Sequence, residues 1–436
     1  MKNLTIKEFK TTISADGDGH DGHANEASQL RRQVEETISS TPVFDLHTHL
    51  FPAQFGAMNL FGIDELLNYH YLIAEFFRFS SLAPQEFWKL EKTKQSDLIW
   101  QVLFVENTPL SEATRGVVSV LNTFGLDTRA ADLSDAREFF ETQKSADYIG
   151  KVLKLANVSD VVMTNDPLDE DEIIVWNGDE KIDERFHAAL RLDRLLNGWT
   201  EAVPLMQKQN YRVSKNIDEQ TISETRRFLT DWIAKMKPLY LGVSLPDDFT
   251  YPEDSPRGNL IKKVILPVCK EHHISLSLMI GVRRRINPAL KLAGDGLGRA
   301  DVSVVSQICA ENPNVKFLVT FLSRENQHEL CVAARKFSNL LPFGCWWFLN
   351  NNSIIAEITR ERFEMLGTSF IPQHSDARVL DQLIYKWKQS RRAIADALFE
   401  SYAALWHDGR RVSKTEMTRD AAKLFSGNFR SWVGLE

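Results

Sequence analysis

Two histidines separated by one threonine, His47-Thr48-His49, close a short apolar run, PVFDLHTH (42–49). Side chains at i and i+2 of a strand leave the same face, so both imidazoles point the same way. Neutral imidazole is the commonest protein ligand for zinc-like ions. A second polar cluster, His374-Ser375-Asp376-Ala377-Arg378, closes the run TSFIPQHSD (368–376). If the two runs are neighbours, Asp376 faces His47 and His49, giving two imidazoles and a carboxylate with coordination positions to spare. A catalytic metal needs such openings, whereas a structural site is closed. The plainer alternatives are structural histidines for the HxH pair and a helix N-cap for Asp376.

Arg191 and Asp193 end the run LRLD, and Arg378 lies two residues beyond Asp376. The forked donors of a guanidinium suit hydroxyls and carboxylates; an Arg191–Asp193 ion pair at a rim is the competing reading. Trp346 and Trp347 end another apolar run, and one should face inward. Core packing is the first expectation for them, with Trp347 kept as a substrate-side candidate. His187, His272, His273 and His328 sit at strand starts or in a helix and read as structural. The four cysteines (269, 309, 331 and 345) form no CxxC pair and read as small buried hydrophobes in a reducing, cytoplasmic setting.

The elements that must position these groups are short apolar runs alternating with helical patterns. Eight runs qualify as strands buried on both faces: 42–49, 159–166, 186–193, 238–245, 274–281, 315–322, 341–348 and 368–376. Helical stretches such as NIDEQTISETRRFLTDWIAKM lie between them. The expectation is an α/β fold, a (β/α)8 TIM-type barrel in which first and eighth strands are neighbours; a doubly wound open sheet is the alternative. Residues 1–30 read as a polar arm and 31–436 as one barrel domain. An aromatic-rich insertion at 50–157 leaves the catalytic end of the first strand and is placed to cover the site. Within it Asp64 is the expected N-cap of a helix over IDELLNYHYLIAEFFRF. His20 and His23 fall in the arm and read as a solvated tail.

Composition narrows the partners. The 436 residues carry 52 Lys and Arg against 59 Asp and Glu, a net charge of -7. That gives no footprint for nucleic acid, while a few local arginines still suit a small anionic substrate. No apolar run approaches the roughly 20 residues a membrane span requires.

The first and last strand motifs together resemble the amidohydrolase superfamily. The fuller set DLHTHLF (45–51), IDELLNYHYLIAE (63–75), ANVSDVVMTNDP (156–167), RFHAALRLD (185–193), FGCWWF (343–348) and SFIPQHSDAR (369–378) resembles the uronate isomerases, over nearly the whole chain. The resemblance implies interconversion of D-glucuronate with D-fructuronate and of D-galacturonate with D-tagaturonate, through a cis-enediol, at one divalent ion, Zn2+. By that resemblance His47, His49 and Asp376 surround the metal, and the substrate carboxylate and C5 hydroxyl take its open positions. Tyr71 matches a tyrosine near the C1 carbonyl, Arg378 an arginine at the C2 and C3 hydroxyls, Arg191 a substrate-side arginine, and His70 a neighbouring contact. Asp376, Tyr71 and Arg378 are thus the catalytic candidates. One departure is Met279, where many relatives carry a fifth-strand histidine; Arg284 falls near a family arginine. Two rivals remain: a metal-dependent lactone or amide hydrolase on the same triad, and a non-catalytic sugar-acid binder. A barrel of this size leaves homo-oligomerisation open.

Overall fold

A computed structural model describes residues 20–435. The expected arm therefore lies outside the described residues up to residue 19, as do the side chains of His20 and His23. A helix, His20–Ser40, already starts inside the 1–30 stretch, and Leu30 near its middle is buried.

Seven strands form one parallel sheet in the order β1 (Val43–Thr48), β2 (Val158–Asn165), β3 (Phe186–Arg191), β4 (Tyr240–Pro246), β5 (Ser275–Arg283), β7 (Phe317–Phe321) and β8 (Leu340–Pro342). The two-residue β6 (Gly296–Leu297) pairs antiparallel with the end of β5. Alternation along the strands separates two cores. Leu276, Leu278 and Ile280 of β5 and Phe317, Val319 and Phe321 of β7 pack outward against helices. Phe44, Leu46, Val162, Met279, Leu318 and Leu341 fill the inside. This is the layered packing of a TIM-type barrel, so the open-sheet alternative falls away.

The expected eighth strand is not a regular one. The segment after Thr368 makes a single bridge, Phe343 to Ile371, and two backbone bonds to β1: Asp376 N–H to the His47 carbonyl (3.2 Å) and His49 N–H to the Ala377 carbonyl (2.7 Å). The barrel still closes there, as the motif argument required. The ladder fails because Pro342 and Pro372 have no N–H to donate and Asp376 adopts φ +50. The run 341–348 is likewise shorter than expected. Pro342 ends β8, Gly344 turns at φ +64, and Trp347 sits in a single 3-10 turn.

The insertion is a set of short helices between Ile63 and Ala156. Asp64 is not an N-cap: Gly62 holds that position of the helix Ile63–Leu67, and Asp64 pairs with Arg137 at 2.8 Å. The expected single helix breaks at Asn68, and a second, His70–Phe79, delivers His70 and Tyr71 to the catalytic end of the barrel.

Candidate active site

His47 and His49 do not follow the parity of their own strand. Phe44 and Leu46 already occupy the inward positions of β1. The pairing runs Asp45 to Val161 and next Thr48 to Met163, so β1 carries one residue more than β2 over that step. This is a β-bulge, a device that re-aims side chains. It turns both imidazoles into the mouth of the barrel, with ring centroids 5.5 Å apart. Asp376 meets them across the seam. Its Oδ1 lies 3.7 Å from His47 Nε2 and 3.3 Å from His49 Nε2.

The partners of the other ring nitrogens fix the tautomers. Tyr240 spends its only hydroxyl proton on the Leu46 carbonyl (2.9 Å), so it accepts from His47 Nδ1–H (3.0 Å). Thr164 donates to the Thr48 carbonyl (3.1 Å) and accepts from His49 Nδ1–H (2.7 Å). Both rings therefore present an Nε2 lone pair to the space beside Asp376. Burial pulls the His47 pKa down to about 3, opposed by Asp376, and holds His49 well below the ordinary histidine value, with Arg378 adding to the effect. Both rings are neutral, as ligation requires.

Asp376 is 6% exposed, yet its Oδ1 has no hydrogen-bond partner. An unsatisfied buried carboxylate oxygen is costly, and a cation among three ligand atoms within 4.8 Å of one another would satisfy it. The donor set, two imidazoles and a carboxylate, fits a zinc-like ion with positions left open.

The triad opens on a cavity with about 550 Å³ of empty space, its solvent mouth included. Arg191, Arg284, Arg378, His70 and Trp347 share its wall. Arg191 is engaged by Asp193 (Nε–Oδ2 3.3 Å), and that carboxylate raises its pKa. Arg284 is engaged by Asp295. Arg378 pairs with no carboxylate among the described residues; only its backbone N–H is bound, to Gln382. The cavity thus carries an unneutralised guanidinium beside a metal-type triad. His70 Nε2 and the Trp347 indole N–H are buried without protein partners, so a polar ligand has two further groups to satisfy.

Against solved structures, the chain is similar to a uronate isomerase from Bacillus halodurans, at 51% identity over 94% of this chain and 97% of that one, with a TM-score of 0.91. The chain belongs to the uronate isomerase family. It is also similar to a uronate isomerase from Thermotoga maritima (15% identity, 93% and 96% covered, TM-score 0.74) and to a glucuronate isomerase from Caulobacter crescentus (14%, 94% and 95%, 0.73), likenesses that speak to the fold alone. No family model and no curated protein matches.

As a member of the uronate isomerase family the protein is an enzyme, and most of the residues expected from its sequence meet on one cavity: His47, His49, Asp376, Arg378, Arg191, His70 and Trp347. Tyr71 does not reach the wall. It stands beside His70, ring centroids 4.8 Å apart, with its hydroxyl buried and unpartnered. Burial, Tyr69 and Asp376 hold that phenol well above its ordinary pKa, so it is a neutral donor. Met279 lines the cavity at the fifth-strand position, and Gly242 and Ser244 do so on the fourth. The Asp376 N-cap alternative fails, because the following helix begins at Gln382 behind Asp381. The structural readings hold for His187, bonded to Asp160, and for His328, bonded to Glu361.

Sequence reasoning missed Tyr240 and Thr164, the partners of His47 and His49. Inward parity was the available signal: Tyr240 leads the small residues Gly242 and Ser244 on β4, and a large hydroxylated side chain at that level has to reach across the barrel.

Proposed function

We propose that the protein is a uronate isomerase that exchanges D-glucuronate with D-fructuronate, and D-galacturonate with D-tagaturonate, with one zinc ion held by His47, His49 and Asp376. The observation that carries this reading is the unpaired Arg378 guanidinium on the wall of a cavity that also holds the three ligands. A uronate is an anion with a row of hydroxyls, and such a surface takes both. The ion, when bound, supplies Lewis-acid polarisation and acidifies a coordinated oxygen.

The residues do the rest. Isomerisation removes the C2 proton of the aldose, forms a cis-enediol, and returns a proton to C1, so no external oxidant is needed. Asp376 is the base that accepts the proton, acting with the C5 hydroxyl. Arg378 holds the C2 and C3 oxygens and stabilises negative charge as it develops. Tyr71, a neutral phenol beside His70, would have to turn onto the wall to donate to the C1 oxygen and then recover the proton that the C2 hydroxyl loses as the ketone forms. Arg191 and the Trp347 N–H orient the remainder of the sugar acid. A hydrolase on the same triad needs no group in the positions of Arg378 and Tyr71. Four buried free thiols suit a reducing compartment such as the cytoplasm, and no helix among the described residues is long and apolar enough to cross a membrane.

The test is ketose formation from D-glucuronate and D-galacturonate by metal-stripped and zinc-reloaded protein. Turnover that is lost on stripping and regained with zinc is expected. A zinc-loaded enzyme inert on both uronates but active on lactones would favour the hydrolase.

A further inference from the structure

The backbone that carries Asp376 is held in an unusual state, and a buried cation is part of what holds it. Asp376 has φ +50, a region side-chain-bearing residues seldom occupy, and it stands in a segment with almost no strand ladder. The residue that precedes it, Ser375, is gripped at both its carbonyl and its N–H. The Ser375 carbonyl accepts from Lys386 Nζ (2.9 Å) and from Asn350 Nδ2 (3.1 Å). The Ser375 N–H donates to Asp45 Oδ1 (3.1 Å), whose other oxygen accepts from Trp387 Nε1 (2.8 Å). Adjacent residues of one helix, Lys386 and Trp387, thus control the two ends of residue 375.

Lys386 is 2% exposed and Asn350 4%. Burying an ammonium group is expensive unless it is paired, and Lys386 donates to a main-chain carbonyl with the Glu112 carboxylate as a charge partner. Asn350 is itself fixed, its Oδ1 accepting from Gln373 Nε2 (3.2 Å). Because the peptide unit is planar, fixing the Ser375 oxygen fixes the direction in which Asp376 leaves it, and so the aim of its carboxylate at His47 and His49.

We propose that Lys386 and Asn350 are positioning residues for the metal site: through the Ser375 carbonyl they keep Asp376 in its left-handed backbone with Oδ1 turned to the two imidazoles. The inference rests on the triad being a metal site, as in the proposed function. Neither residue touches the cavity.

The test is zinc affinity by competition with a chromophoric chelator, for wild type, Lys386→Met, Asn350→Ala and the double variant, with thermal unfolding and uronate kinetics alongside. Groups that orient a metal ligand from behind typically change affinity by about 10- to 100-fold. Lys386→Met should weaken zinc binding at least tenfold and lower kcat more than it raises KM. Asn350→Ala should do the same to a smaller degree, and the two should be non-additive because they share one acceptor. If Lys386→Met does not fold, Asn350→Ala decides. Zinc affinity within about twofold of wild type in the folded variants, whatever happens to Tm, overturns the proposal. Wild-type protein that binds zinc but turns over no uronate would sink the proposed activity and leave the affinity comparison intact.

Discussion

Removing one hydroxyl should weaken metal binding about tenfold without touching a ligand. In Tyr240→Phe the ring can stay in place, but His47 Nδ1–H loses its acceptor and the Leu46 carbonyl its donor. Each loss leaves a buried polar group unsatisfied at about 1–3 kcal/mol. The first has a specific consequence: nothing then favours the Nδ1–H tautomer, and a proton on Nε2 blocks ligation. Loss of a neutral hydrogen bond worth about 1–1.5 kcal/mol corresponds to roughly tenfold in tautomer preference, which is also the low end of the 10- to 100-fold expected in metal affinity. Chelator competition measures that change directly, and ¹⁵N shifts of the His47 ring in metal-free protein report the tautomer. Thr164→Val should act in the same way through His49. Unchanged zinc affinity in Tyr240→Phe, with only Tm lowered, would refute the tautomer argument.

Asp376→Asn should abolish turnover while a uronate still binds, because asparagine tolerates the left-handed backbone but cannot accept the proton; near-normal kcat would remove the base assignment. Gly344→Ala should destabilise the fold by at least about 1–3 kcal/mol, since its Cβ would lie 1.8 Å from His374 Nδ1 at φ +64; denaturant melts at wild-type midpoint would contradict this packing. Glu172 is buried, and burial raises its pKa to about 7. A raised carboxyl pKa means the folded state holds the proton more tightly, so its contribution to stability is full below the unfolded value of about 4.5 and is lost as pH rises towards 7. Glu172→Gln should therefore gain on wild type by about 3 kcal/mol, as an order of magnitude, between pH 4 and pH 8 in urea unfolding; parallel pH curves would exclude it.

The candidate metal triad was legible because its chemistry is local. Two histidines at i and i+2 and an aspartate after the last apolar run need only barrel closure to meet, and seven of the eight expected runs supply sheet strands. The rest depended on deviations from regularity. Phe44 and Leu46 take the inward positions, so the histidine pair reaches the cavity only through a bulge that spacing does not reveal. Pro342 and Pro372 remove donors, which is why the last segment closes the barrel with isolated bonds. Lys386 carried no signal at all, since its role depends on one carbonyl brought near by tertiary folding. Tyr71 is placed by resemblance alone, and it packs beside His70 without lining the cavity.

The most direct test of the account is anomalous diffraction at the zinc edge from crystals grown with zinc. The account predicts a single strong peak about 2.0–2.2 Å from His47 Nε2, His49 Nε2 and an Asp376 oxygen, with Arg378 facing its open side. A peak bound elsewhere, or a zinc-saturated crystal with these three side chains still bare, would contradict it.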